Sequence, residues 1–416
     1  MRVITDFHLH SKWSRACSKD LNIRNIAAAC ERKGIQFVGT SDFTHPAWRK
    51  ELGSELEDVG DGAFAIKGNV SSTRFLLSTE LSCIYKRGGK VRRVHHLVLL
   101  PTLEAVDKLT TSLNARGCNL KADGRPILGL DSEELLKLVL DADPRGLLIP
   151  AHAWTPWFAV FGSMSGFDSL EACFGEMTKY VPAIETGLSS NPKMNWRLKD
   201  LDSVFLVSNS DAHSLEKLGR EANVFEMQTP TYKELHRIFT QKDKSKFIET
   251  IEFFPEEGKY HADGHRVCKF FCDPKETKRL KGICPVCGKP LTIGVLNRIE
   301  DLADREEGKE SPLAVPYRSI VPLDELIGDV LDVGPSSKKV RNVYDTLVAD
   351  GRSEFGVLLD VPASELGRVA DADMVEAILR MRRGQVSVRP GYDGEYGVIS
   401  VTNASKKKPT QQSLVF

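Results

Sequence analysis

From residue 1 to about 250 short apolar runs alternate with stretches of helical periodicity. Strand-like runs fall at Arg2–Asp6, Ile35–Thr40, Phe75–Thr79, Val94–Leu100, Leu147–Pro150, Ala183–Glu185 and Val204–Val207. Between them, Asn22–Arg32 sets Ile23, Ile26, Ala27 and Cys30 on one helical face. Asp131–Leu140 opens on an Asp-Ser-Glu-Glu start signal with Leu135, Leu136, Val139 and Leu140 together. Continuous apolar strands alternating with helices predict an α/β domain, an open sheet or a barrel with parallel strands inside and helices outside. The pattern changes near Phe253-Phe254-Pro255. Residues 251–310 carry a cysteine quartet, then the strand-like Leu291–Val295. Residues 311–400 carry shorter helical patterns at Asp324–Leu331, Ser337–Ala349 and Ala372–Arg383, and a strand-like Gly397–Val401. Residues 401–416 read as a basic, disordered tail.

Composition narrows the class. A chain of 416 residues, 41% hydrophobic and 27% charged, has a sizeable core and room for two or three domains. It is not a disordered chain, a collagen-like fibre or a small disulfide scaffold. No apolar run reaches the ~18 residues of a membrane span, and the start MRVITDFHLH lacks a signal-peptide layout, so a cytoplasmic protein with no membrane partner is expected. Fifty-seven basic and 57 acidic residues cancel, which argues against a uniformly basic surface but not against a local basic groove. Cysteines in such a compartment are not read as disulfides; Cys17, Cys30, Cys83, Cys118 and Cys173 read as small buried hydrophobes.

The histidines carry the first chemistry. Seven of the ten lie between residues 8 and 213, at or beside strand-like runs. His8 and His10 follow the first, and alternation predicts Asp6, His8 and His10 on one face. Asp42 and His45 follow the second, and Glu80 the third. His95 and His96 lie within the fourth, His152 follows the fifth, Glu185 ends the sixth, and Asp211 and His213 follow the last. The carboxyl ends of parallel strands share one rim, where sites are built. Nitrogen and carboxylate donors without thiolate suit Zn²⁺ or Mn²⁺, with Mg²⁺ less comfortable. Two or three such ions activate water and clamp a phosphoryl oxygen. Phosphoester hydrolysis is the leading reaction class, with amide or amidine hydrolysis as competitor. No phosphate-cradling glycine loop or nucleophile elbow is present.

Cys268-x₃-Cys272-x₁₁-Cys284-x₂-Cys287 reads as a closed structural Zn²⁺ site, with His265 as the alternative fourth ligand. Basic residues crowd it, among them Lys259 and Arg266, with Tyr260, Phe270 and Phe271 interspersed. That mixture reads either as a solvated surface or as a platform for phosphate contacts and base stacking.

The set His8-x-His10, Asp42 with His45, Glu80, His96-Leu97, His152 and Asp211-x-His213 resembles the polymerase and histidinol phosphatase (PHP) family of metal-dependent phosphoesterases. The resemblance implies a distorted (β/α)₇ barrel over residues 1–250 holding two or three Zn²⁺, with Mg²⁺ or Mn²⁺ as candidate activators. It implies His8, His10, Glu80 and Asp211 as the first site and the catalytic core, Glu80 bridging to a second ion on His96 and His152, and His45 and His213 as remnants of a third. The chain departs from the family pattern at Phe43, where many members have His, and at Ser11-Lys12-Trp13-Ser14, where many have a further His. His96 is favoured over His95 because Leu97 follows it as in the family pattern.

The stretch Pro255-Glu256-Glu257-Gly258-Lys259-Tyr260-His261, the knuckle, and Pro390-Gly391-Tyr392-Asp393-Gly394-Glu395-Tyr396-Gly397 narrow the resemblance to the endonuclease Q family, over all but the tail. That implies a DNA-repair endonuclease cutting 5′ to deaminated bases (uracil, hypoxanthine, xanthine) or abasic sites, with the lesion flipped out. Trp13, Trp154 and Trp157 are candidate walls for the extruded base. A phosphatase acting on a small phosphomonoester and a nucleic-acid-binding scaffold with a degenerate barrel are the competing functions. Gln411–Phe416 is weakly similar to a sliding-clamp-binding peptide.

Overall fold

The structure is a computed structural model describing residues 1–68 and 71–402. The segment similar to a clamp-binding peptide and most of the basic tail lie outside the described residues. The first two tail positions do not: Val401 and Thr402 donate backbone N–H bonds to Asp329.

The architecture is mixed α/β around a central eleven-stranded sheet. Its path runs Tyr317–Ser319, Phe247–Glu252, Ala222–Glu226, Arg2–Asp6, Phe37–Gly39, Arg74–Arg87, then the hairpin Ala63–Ile66 and Leu56–Gly60. Lys90–Leu100 continues from Arg74–Arg87 to Leu147–Pro150, and Ala183–Glu185 pairs in parallel with Phe205–Val207 as a separate two-stranded sheet. The sheet is not wholly parallel as its run-and-helix pattern predicts. Arg2–Asp6, Phe37–Gly39 and Arg74–Arg87 are parallel, but Arg74–Arg87 returns antiparallel as Lys90–Leu100. The cause is local: Gly88 and Gly89 take φ of 61° and 75°, the two left-handed positions of a tight hairpin turn. A two-residue turn leaves no room for a crossover helix.

Strand alternation builds two apolar layers. Val3, Phe37, Leu76, Leu97, Leu99, Ile149, Ala183, Phe205, Val207 and Phe225 meet in one buried cluster. Their neighbours of opposite parity, such as Ile4, Val38, Leu77, Val98, Leu148 and Val224, fall in a second cluster with residues of the helices, among them Ile26, Leu109 and Leu135. Helix Ile23–Lys33 supplies Ile26, Ala27 and Cys30. It starts at Asn22, whose side chain accepts from Asn25 N, and stops at Gly34, φ 87°. Ser132–Ala142 is capped by Asp131 and buries Leu135, Leu136 and Val139.

Beyond residue 250 the hairpin Asp263–His265/Phe270–Cys272 carries Cys268 and Cys272, and the loop between helices Pro274–Arg279 and Val295–Leu302 carries Cys284 and Cys287. Helices Leu323–Leu331, Lys338–Leu347 and Ala372–Arg382 follow. Between the second and third of these, Glu354 forms a buried ion pair with Lys33 of the first helix, Nζ to Oε2 at 2.8 Å, and accepts from Tyr344 of the second. Among the described residues no helix is long and apolar enough to cross a membrane.

Candidate metal centre

The first strand ends at Asp6, and the chain then runs beside Asp211–His213: His10 N donates to Ala212 O at 2.9 Å, and Leu9 bridges to Ala212. This brings His8, His10 and Asp211 together. Asp6 does not join them; its carboxylate accepts from the backbone of Ser210 and Gly219, 3.1 Å each. It closes the loop beneath the cluster rather than sharing the histidines' face, because regular alternation stops where the strand stops.

Glu80 lies within the long strand Arg74–Arg87, and the register of this strand decides its partners. Glu80 faces Leu97 and Ser82 faces His95, so Glu80 and His95 share a face, whereas His96 lies opposite Leu81 on the other. His95 Nδ1 is 2.6 Å from Glu80 Oε1, and His152 Nε2 is 3.2 Å from the same oxygen. The other oxygen, Oε2, is 3.4 Å from His8 Nε2 and 3.2 Å from His10 Nε2, and Asp211 Oδ1 is 3.0 Å from His10 Nε2. Two groups result, His8–His10–Glu80–Asp211 and Glu80–His95–His152, with one carboxylate spanning both. His96 stands outside: its Nε2 is 2.8 Å from Ser132 Oγ and its ring packs on Phe174. The structure thus brings the neighbouring histidine to the site in its place.

Asp42, His45 and His213 surround the groups without entering them. One Asp42 oxygen accepts from Ser11 N, Ser11 Oγ and Ser14 Oγ, and the other faces His10 Nδ1 at 3.5 Å. The His213 ring lies 4.4 Å from His10, and its Nδ1 is held by Asp211 O. His45 is covered by Trp13, ring centroids 4.7 Å apart. Glu185 has the clearest supporting role. It holds His8 Nδ1 at 3.0 Å and accepts from His152 N and Asn209 Nδ2, leaving His8 Nε2 turned to the centre. His152, Asp211, Asp42 and Ser41 all have positive φ, at 29°, 46°, 42° and 57°. Strain of that kind persists only where surrounding contacts over-determine the backbone.

The electrostatics suit cations. Burial alone would depress His8, yet the Glu185 and Glu80 carboxylates raise its pKa well above the ordinary histidine range. Burial pushes Glu80 up, but His95, Arg125 and His8 outweigh it and hold the carboxyl well below the usual range. Asp211 is likewise held low by His10 and His8 against its own burial. His95 is pushed down to about 4 chiefly by burial, so its lone pair is available. His8 Nε2 is buried with no hydrogen-bond partner. A buried imidazole nitrogen aimed between carboxylates fits a divalent ion that would take the place of its proton, and both donor sets are oxygen and nitrogen.

A third group lies in the cysteine region: His265, Cys268, Cys284 and Cys287, with Cys287 Sγ 3.4 Å from His265 Nδ1. Cys272 is elsewhere, its Sγ 3.2 Å from Thr277 Oγ1. The hairpin register explains this. His265 pairs with Phe270 near the turn, and Cys272 pairs with Asp263, two residues or ~7 Å farther along. Burial pushes the Cys284 thiol up, but the Cys287 and Val286 amides and neighbouring thiols bring it below the ordinary value.

The aromatics divide. Trp13 and Trp157 are exposed, at 41% and 44%, whereas Trp154 is buried, donates Nε1–H to Asn195 and stacks on Phe161. Trp154 is therefore core, with no face for a base. Lys259 sits over Tyr260 and Tyr396, and the Arg266 amide donates to Asp393. Arg125, which no sequence signal singles out, places its Nη1 3.0 Å from Glu80 Oε2. It follows no strand-like run of the kind that flagged the histidines.

These observations define a mixed α/β protein with a buried imidazole–carboxylate double cluster and a satellite cysteine–histidine cluster. The structure resembles that of a lesion-specific endonuclease from Pyrococcus furiosus, with a TM-score of 0.85 and 32% identity over 96% of this chain and 95% of that one. It also resembles an endonuclease Q complexed with a 27-mer duplex bearing an abasic lesion at the active site: TM-score 0.82, 33% identity, 97% of each chain. This chain belongs to the endonuclease Q family. It is 29% identical over 418 residues to YqxK of Bacillus subtilis, covering 96% of this chain and 99% of that one. A family profile, the MJ0043 C-terminal domain, matches residues 322–385. MJ0043 of Methanocaldococcus jannaschii is 30% identical over 60% of this chain, which spans only 31% of that relative's length.

Proposed function

We propose that this protein is a metal-dependent DNA-repair endonuclease that hydrolyses the phosphodiester 5′ to an abasic site or a deaminated base. The observation that carries the reading is the full-length likeness to a lesion-specific endonuclease and to an endonuclease Q holding an abasic duplex. The double cluster supplies a chemistry to match. His8, His10, Glu80 and Asp211 would hold one ion and Glu80, His95 and His152 a second. Zn²⁺ suits both sets, and Mn²⁺ or Mg²⁺ could support turnover. Bound there, divalent ions supply the Lewis acidity that activates water and takes up charge from a phosphoryl oxygen.

The chain's own residues do the rest. Glu80 spans both groups and fixes their separation, while Glu185 sets the His8 tautomer and ring angle. Trp13, stacked on His45 with its outer face exposed beside the cluster, offers an apolar wall for an extruded base or the empty sugar. His265, Cys268, Cys284 and Cys287 would hold a structural Zn²⁺ that shapes the basic module of Lys259 and Arg266 for phosphate contacts. A base already weakly paired costs less to extrude, which favours deaminated bases and abasic sites over intact pairs.

The test is a set of duplexes, each with one deoxyuridine, deoxyinosine or abasic site, incubated with Mg²⁺, Mn²⁺ or Zn²⁺ beside an undamaged control. The expected result is one nick on the lesion strand, on its 5′ side, absent from the control. Equal cutting of the control, or release of phosphate from monoesters alone, would overturn the reading.

A further inference from the structure

We propose that Arg125 is a catalytic residue, a fixed cation that grips a non-bridging oxygen of the scissile phosphate and offsets the charge gathering there as water adds. The inference rests on the reading of the cluster as a phosphodiesterase site.

Four observations converge on it. First, the loop around Arg125 is pinned on both sides. Gly124 N donates to Trp13 O and Ser82 N to Pro126 O, 3.1 Å each. The amides of Arg15 and Arg125 both donate to Asp123 Oδ1, at 3.2 Å. Second, the approach is too close for any side chain before it. A Cβ on Gly124 would lie 2.2 Å from Asp42 Oδ2 and 2.4 Å from Ser14 Oγ. Third, the guanidinium reaches the spanning carboxylate at Glu80 Oε2, 3.0 Å away. Fourth, its side chain is 27% exposed while that of Glu80 is fully buried, so Arg125 stands where the cluster opens to solvent.

One of its five N–H groups meets Glu80, and no other has a hydrogen-bond partner among the described residues. Arginine is always charged and its planar fork matches phosphate oxygens. A residue needed only to neutralise Glu80 has no need of free donors at the open side.

In the step it serves, water oxygen bonds to phosphorus and the bond to the 3′ oxygen breaks. The proton that water sheds is balanced by the one the 3′ oxygen gains. The products are a 3′-hydroxyl and a 5′-phosphate, and Arg125 donates to the oxygens that stay on phosphorus.

The test compares wild type with Arg125→Lys, Arg125→Met and Arg125→Ala on an abasic duplex and on bis(4-nitrophenyl) phosphate. Metal content is read by mass spectrometry and folding by thermal melts. On both substrates kcat is expected to fall about 10²–10³-fold in the Met and Ala variants, the loss typical of one transition-state donor. The expected pattern also has full metal content, a smaller loss in Lys, and partial recovery of Ala by added guanidinium. Rates within threefold of wild type, or a loss that tracks lost metal and resists guanidinium, would overturn the proposal. If wild type hydrolyses the small diester but spares the abasic duplex, the lesion reading fails while the diester data still judge Arg125.

Discussion

At the scale of single residues, strand parity decides which of two adjacent histidines reaches Glu80. His95 shares the face of Glu80; His96 faces Ser132 and Phe174. His95→Ala is expected to release metal from the centre and lower cleavage by at least about 10²-fold. His96→Asn is expected to keep its metal and lose only stability, by about 1–3 kcal/mol for the disturbed buried contact. Metal analysis on both variants checks this, and the reverse result would put His96 in the site. Glu185→Gln is expected to weaken metal binding about 10–100-fold, since it removes the carboxylate that orients His8. A Zn²⁺ titration in competition with a chelating dye measures it.

At the scale of elements, two buried arrangements carry consequences for stability. Lys33 and Glu354 join the first helix to the C-terminal helices, with side chains only 8% and 5% exposed, and Tyr344 also donates to Glu354. Removing one partner leaves the other buried and uncompensated. Lys33→Ala is thus expected to cost about 3–5 kcal/mol in urea unfolding, and Lys33→Met with Glu354→Gln to recover most of it. A loss below about 1 kcal/mol would mean the pair contributes little to docking.

The second arrangement is the buried carboxylate pair Glu221 and Glu252. Burial pushes Glu252 up to about 7, its Thr250 and Thr186 hydrogen bonds notwithstanding, and Glu221 well above the usual range. A carboxyl with a raised folded pKa stabilises the fold fully below its unfolded value of about 4.3, and that contribution is lost as pH climbs through 7. Glu252→Gln is expected to match wild type at pH 4 and to exceed it by about 1–3 kcal/mol at pH 8. Identical pH profiles would refute the assignment.

Element by element, the sequence was legible where local signals match tertiary need. The Asn22 and Asp131 helix starts and the alternating apolar runs are such cases. It was less legible where register decides. Nothing in Val94–Leu100 says which histidine faces Glu80, because both faces of that strand are buried. Nor does the spacing of the cysteines say that Cys272 lies two residues too far along its hairpin while His265 lies at the turn. Arg125 owes its place to a loop stitched to Trp13 and Ser82, contacts made across long separations.

At the scale of the whole molecule, a formally neutral chain can still present a positive face to DNA. Acidic residues gather in the buried cluster, where divalent ions would reverse the local sign, while Lys259 and Arg266 stand exposed on the cysteine-bearing module. Lys259→Ala with Arg266→Ala is expected to weaken duplex binding several-fold and to flatten its salt dependence by up to about two charges, read by fluorescence anisotropy over a salt series. An unchanged slope would remove that module from the interface.

The central claim is that the double cluster cuts DNA beside a lesion. The most direct measurement maps the nick on an end-labelled duplex with one abasic site, comparing wild type with Asp211→Ala in the presence of divalent metal. The account predicts a single cut 5′ to the site, leaving a 3′-hydroxyl, and its loss by at least about 10²-fold in Asp211→Ala. No cut by the metal-loaded wild type, or an equal cut by Asp211→Ala, would contradict it.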